Sequence, residues 1–152
     1  MLIMKNTLYT TIIFIGSILT THAQEKATRD KRQEKIYFLI EQYSTAREQK
    51  DSVLLRSILT GDIDQLVSTG EWRYGISESI DGMMQSSQSR PGTRTLTIES
   101  IRFPGPDWGI VDARYEIQNE DGTIRKMWST FIVILQHGHW KIEAIRNMKP
   151  AG

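Results

Sequence analysis

Gly138-His139-Trp140-Lys141-Ile142-Glu143-Ala144-Ile145-Arg146-Asn147 (GHWKIEAIRN) carries the clearest structural signal in the chain. Trp140, Ile142 and Ala144 alternate with Lys141 and Glu143, which is the period-two pattern of a strand with one buried and one wet face. Gln136-His137-Gly138 just before it holds a turn-forming glycine, so the stretch is predicted to be the returning strand of a hairpin. His137 and His139 flank that turn. Such a pair can supply two metal ligands, but a site needs a third, and no neighbour in the sequence offers one. Asp62 and Asp64 form a similar loose pair, and neither pair carries a metal or cofactor expectation.

Working back from the hairpin, the chain from Thr93 onward reads as strands over Arg94 to Phe103, Asp107 to Gln118, Thr123 to Gln136 and His139 to Asn147. They are separated by Pro104-Gly105-Pro106, Asn119-Glu120-Asp121-Gly122 and Gln136-His137-Gly138, all rich in residues that reversals require. Short connections make the strands antiparallel. Val111, Ala113, Tyr115 and Ile117 alternate with Asp112, Arg114, Glu116 and Gln118, which gives one apolar and one polar face. Phe131 to Leu135 (FIVIL) is apolar on both faces, as expected of a strand covered by helices on one side and by a second subunit, or the sheet's own curl, on the other.

Earlier in the chain the period changes. Ile36, Leu39, Ile40, Tyr43 and Ala46 form one helical stripe ending near Lys50, and Asp51 is placed to cap a short second helix through Leu59. Ile63, Leu66 and Val67, then Glu71 to Tyr74, suggest two short strands around Gly70. Ile76, Ile80, Met83 and Met84 predict a third helix over Gly75 to Gln88, and the run from Ser86 to Gly92 is a loop.

The first 23 residues differ in kind. Lys5 precedes the apolar run Leu8 to Leu19, and Thr21-His22-Ala23 has small residues where a leader peptidase cuts, so residues 1–23 read as a signal peptide cleaved between Ala23 and Gln24. The apolar run is shorter than the ~20 residues of a membrane span. An exported protein, periplasmic or secreted, is expected. Residues 24–35 are a charged linker or the start of the first helix, and residues 36–149 make a single domain. With Lys5 gone, 18 Lys and Arg residues face 18 Asp and Glu residues. The basic residues are dispersed, so neither nucleic acid nor a membrane surface is an expected partner. The absence of cysteine excludes disulfides, thiolate nucleophiles and Cys-bound zinc.

From about Ile36 to Met148 the chain resembles the nuclear transport factor two-like superfamily, which includes the SnoaL-like polyketide cyclases and ketosteroid isomerase. The residues carrying the resemblance are Lys50-Asp51 with Leu54-Leu55, Asp62 and Asp64, Gly75 to Ile80 (GISESI), Ile101 to Ile117 (IRFPGPDWGIVDARYEI) and Gly138 to Asn147. The resemblance implies an α+β cone, with three N-terminal helices packed on a curved, mostly antiparallel sheet and a pocket opening at one end. Tyr43, eight residues before Asp51, matches the oxyanion-hole tyrosine of the isomerase. The isomerase's general-base position falls on Val67, Ser68 or Thr69, and its second oxyanion donor near Phe131, so both groups are missing here. Abstracting a carbon-bound proton needs a positioned base, and the balance leans away from that enzyme.

Three function classes stay open. The first is an exported SnoaL-like binding protein whose pocket takes a small apolar or aromatic ligand through Tyr43, Trp72, Tyr74, Trp108, Tyr115 and Trp128. Those rings suit a core or a dimer interface equally well. The second is a cyclase-, isomerase- or hydrolase-like enzyme, with Tyr43, Asp112 and Arg114 as its catalytic candidates. Alternation puts Asp112 and Arg114 on the outer surface unless the sheet's faces are reversed. The third is a dimeric interaction module without a ligand, and a homodimer through the sheet is the expected assembly for the binding protein as well.

Overall fold

The computed structural model describes the backbone of residues 6–151 and the side chains of residues 24–151. The expected signal peptide therefore lies outside the residues whose side chains are described. The chain forms two compact units, residues 1–35 and 36–152. Helix α1 is Asn6–Gln49, and residues 24–35 are helical and mostly exposed within it. Among the described residues, no helix is long and apolar enough to cross a membrane.

In the second unit the predicted helical stripe is the inner face of α1. Ile36, Leu39, Ile40, Tyr43 and Ala46 are all buried. α2 (Ser52–Ile58) begins where Asp51 Oδ1 accepts from the N–H groups of Val53 and Leu54, at 3.0 and 2.9 Å, satisfying donors that an uncapped helix end leaves open. α3 (Gly75–Ser89) buries Ile80 and Met83. Its Gly82 leaves room for the Arg73 guanidinium, which lies 2.4 Å from where a Cβ would stand and would have to move aside for one.

The strands are β1 (Leu59–Leu66), β2 (Trp72–Tyr74), β3 (Thr93–Arg102), β4 (Trp108–Gln118), β5 (Ile124–Gln136) and β6 (His139–Met148). They form one six-stranded sheet in the order β2-β1-β6-β5-β4-β3. β3 to β6 are the predicted antiparallel meander, β1 and β2 pair antiparallel, and the β1–β6 pairing is parallel. The unit is thus the expected α+β arrangement of three helices on a mostly antiparallel sheet. β1 begins at Leu59 rather than at Ile63, because Leu59 already pairs with Ile142 before the register slips. His137 (φ 50°) and Gly138 (φ 80°) form the two-residue turn between β5 and β6, with both central residues left-handed as a type I′ hairpin needs.

One expectation for the last strand is corrected. Ile132 pairs with Ala144 and Val133 with Ile142, so Glu143 is an extra residue, a β-bulge that reverses the alternation. Ile145 then faces the core opposite Phe131, while Ala144 shares the outer face with Ile132 instead of the inner face with Trp140 and Ile142. A second irregularity lies between Ile98 and Ser100 in β3. Inside, Phe131, Val133, Val111, Ala113, Ile142 and Ile145 meet the helices. Outside, Ile132 and Ile134 pair with Ile110 and Trp108, and Trp128 with Met148. Trp108, Trp128 and Met148 stay 40%, 41% and 49% exposed.

Candidate functional site

The polar groups inside the second unit converge where α1, α3 and the inner face of β3 and β4 meet. Arg47 lies one helical turn beyond Tyr43, so the two side chains share a face of α1. Arg47 Nη1 donates to Tyr43 Oη at 3.0 Å and Nε donates to Ser87 Oγ of α3 at 3.2 Å. The Tyr43 ring packs edge-on against Phe131, with centroids 5.3 Å apart. Arg47 is 5% exposed, and among the described residues it forms no ion pair with a carboxylate. Burial opposes its charge most strongly, but Tyr43 and Tyr115 together outweigh it and hold its pKa above the usual arginine value.

Tyr115, on the inner face of β4, is 4% exposed. Burial pushes its hydroxyl's pKa up, while Arg47 and Arg94 pull the other way; it remains protonated, a donor, at neutral pH. Among the described residues neither its hydroxyl nor the buried Nε of Arg94 on β3 makes a well-formed hydrogen bond, although the Arg94 side chain lies close enough to pull the tyrosine's pKa down. The remaining donors of Arg94 are taken by neutral backbone: Nη1 donates to Gly92 O and Nη2 to Arg90 O, each at 3.0 Å. Glu48 Oε2 accepts the Arg94 backbone N–H at 3.2 Å and lies 4.0 Å from Nη1. Arg125 Nε donates to Asn119 Oδ1 at 3.0 Å and its Nη2 reaches Arg90 O at 3.4 Å. Desolvation, then the charges of Arg90 and Arg94, lower the pKa of Arg125.

Of these groups, Ser87, Arg94, Glu48 and Asn119 border an open cleft of about 390 Å3 whose walls also include Lys50, Pro91 and Glu120. A neighbouring depression of about 500 Å3 shares Pro91, Asn119 and Glu120 and adds Arg90, Asp121 and Arg125. The interior beneath is filled: Tyr43, Phe131 and Val111 are each at most 1% exposed. The mouth between the end of α3 and the β4–β5 turn is a concave, polar part of the unit, and a smaller cleft of about 210 Å3 lies beside it between Glu71, Arg73 and α3 at Gln85 and Ser89.

Of the residues singled out from sequence, Tyr43 and Tyr115 lie in this inner cluster. Trp72 and Tyr74 stack at the sheet edge, rings 5.7 Å apart, with Arg146 4.7 Å over Trp72 and paired to Asp64 at 2.6 Å. Trp108 and Trp128 stand on the outer sheet face, so the six rings do not converge on one cavity. Asp112 and Arg114 are also on that outer face. Asp112 accepts from Arg102 at 2.9 Å, Ser100 at 3.0 Å and Thr130 at 2.8 Å, while Arg114 pairs with Glu99. His137 and His139 are exposed at their turn, and no group of three or more His, Asp or Glu among the described residues is placed to hold a metal.

Arg47, Ser87 and Arg94 were missed. Their signal was present: Arg47 falls on the apolar stripe of α1, and Arg94 is in phase with Leu96 and Ile98 on β3. A cation in an apolar phase is buried or bridges something.

No family model matches the chain, and no curated protein matches it. Solved structures do. A protein with a cystatin-like fold from Caulobacter vibrioides superposes with a TM-score of 0.69 at 16% identity, over 78% of this chain and 89% of its own. An NTF-2 like protein from Shewanella oneidensis MR-1 gives 0.68 at 16% identity, over 78% and 99%. A ketosteroid isomerase-like protein from Erwinia carotovora atroseptica gives 0.65 at 16%, over 78% and 96%. At such identities the likeness lies in the path of the chain, and with the sheet order and helix placement above, the chain has the nuclear transport factor two-like fold.

Proposed function

We propose that this domain is an exported binding protein for a small molecule, which it takes at the mouth between the end of α3 and the β4–β5 turn. The observation that carries this reading is the 390 Å3 cleft reaching the buried residues Ser87 and Arg94, because pockets with a few fixed polar groups at their floor are the usual form of a ligand site. An apolar or aromatic ligand body would rest there against Pro91 and the alkyl stems of Lys50 and Arg94 rather than against the tryptophans. Catalysis is the weaker reading. Glu48 is the carboxylate beside Arg94, but it is 46% exposed and already accepts a backbone N–H, an environment unlike that of a shielded general base.

Export rests on the leader pattern of residues 1–23. Native mass spectrometry of protein from the periplasmic fraction tests both parts. The expected result is a chain starting at Gln24 and carrying additional mass from a non-covalent ligand. A chain retaining Met1 would defeat export, and uniformly unliganded protein that no small molecule stabilises would defeat binding.

One observation favours a second reading, association through the sheet. Trp108, Ile110, Ile132 and Ile134 make an apolar patch at one end of the outer face, with Trp128 and Met148 beyond the polar Asp112–Thr130 pair. A second copy of the chain is the occupant proposed, and this is compatible with binding at the mouth.

A further inference from the structure

The mouth carries more positive charge than its carboxylates neutralise. Arg47 and Arg94 are both buried, and the groups they bond are a hydroxyl pair and two backbone carbonyls. Arg125 and Arg90 stand beside them, with Arg90 O holding both Arg94 and Arg125. The opposing carboxylates are Glu48 and Glu120 on the cleft, with Asp121 on the adjoining depression. Asp121 already accepts from Thr123, and Glu48 is the nearest to Arg94, at 4.0 Å. Burial opposes a guanidinium's charge; Arg47 is offset by hydroxyls alone and Arg94 by a single half-exposed carboxylate. Two groups nearby, Arg94 Nε and Tyr115 Oη, are buried without a well-formed hydrogen bond, although the two side chains lie within reach of each other. Poorly satisfied donors beside a surplus of positive charge favour an anionic acceptor.

Resting on the binding reading above, we infer that the cleft recognises its ligand by a compact anionic head group, a carboxylate or a phosphate, drawn to Arg94 and Lys50 from the mouth. Arg47 acts from behind Ser87 as a fixed charge that the anion feels without touching it. Glu48 acts against the anion, so it sets an upper bound on affinity and marks the site as electrostatic.

Isothermal titration of the folded protein at low salt tests this with benzoate and inorganic phosphate, using benzamide as the neutral counterpart of benzoate. Saturable binding of benzoate or phosphate, absent for benzamide, is expected, and which of the two binds tells a carboxylate from a phosphate site. Arg94→Gln should weaken binding by about tenfold or more, as for loss of a charge-assisted bond. Because that variant also disturbs two backbone contacts, Glu48→Gln is the second arm. Its amide oxygen can still accept the Arg94 N–H, and removing the like charge should tighten anion binding by about threefold, with the gain fading in high salt. Equal binding of benzamide and benzoate, or an affinity that Glu48→Gln leaves unchanged, overturns the anionic head group while leaving small-molecule binding intact. If neither anion binds yet a neutral ligand co-purifies, the inference falls alone. If no ligand of any kind is found, the binding reading falls with it.

Discussion

Single residues show how little the chemistry of a side chain says without its surroundings. Tyr43 was legible as an inward tyrosine, because it sits in phase with Ile36, Leu39 and Ile40. What it does was not, since Arg47 and Phe131 come to it from the next turn of helix and from a strand far along the chain. Tyr43→Phe should cost about 1–3 kcal/mol in a urea titration, as the acceptor of a buried guanidinium is lost. Arg47→Met should cost less, because it removes the charge together with its demand for acceptors. Asp112 is the opposite case, a candidate acid that turns out to be an outer-face anchor. Partial burial opposes ionisation, but bonds from Thr130, Arg102 and Ser100 hold its pKa below the usual carboxylate value. A carboxyl whose folded pKa is lowered contributes stability above its unfolded pKa and loses that contribution as pH falls through the folded one. Urea midpoints should therefore drop between pH 5 and about pH 2 by more in the native protein than in Asp112→Asn.

At the level of elements, alternation and turn chemistry were the reliable guides. The four meander strands lie where Val111 to Gln118 and the three turn sequences put them, because a strand's two faces and a hairpin's tight reversal are written in adjacent residues. The bulge at Glu143 was hidden, since an extra residue is defined only by the register of a partner strand. Asp51→Ala should destabilise the protein by about 1 kcal/mol through loss of the α2 cap, measured by thermal melting. Gly138→Ala should cost a comparable ~1 kcal/mol, since φ at that position is 80° and a Cβ is strained there. His137→Asn should leave stability unchanged or slightly higher, as asparagine suits the same left-handed turn. Unchanged stability in Gly138→Ala would mean that the turn does not set the β5–β6 register.

For the whole molecule, the cone-like class was readable from the sequence of periods, but the use of the two sheet faces was not. Phe131 to Leu135 announced burial on both sides; only pairing reveals that Trp108 and Ile110 extend the apolar patch of Ile132 and Ile134 across two strands. If a second copy covers it, sedimentation should give a dimer, and Ile132→Glu should give a folded monomer with an unaltered circular dichroism spectrum. A native protein sedimenting as a monomer at high micromolar concentration would remove the association reading and leave the mouth as the site of function. The parallel pairing of β1 with β6 has a kinetic consequence. β6 lies between β1 and β5, and Arg146 reaches back across 82 residues to Asp64. Contacts so distant along the chain form late, because the intervening loop must be closed before they can stabilise anything. During synthesis, the helices and the first strand pair must wait without their sheet neighbour until the last strand has been made. If the chain is exported as proposed, a machine that threads extended polypeptide would meet it before it could close.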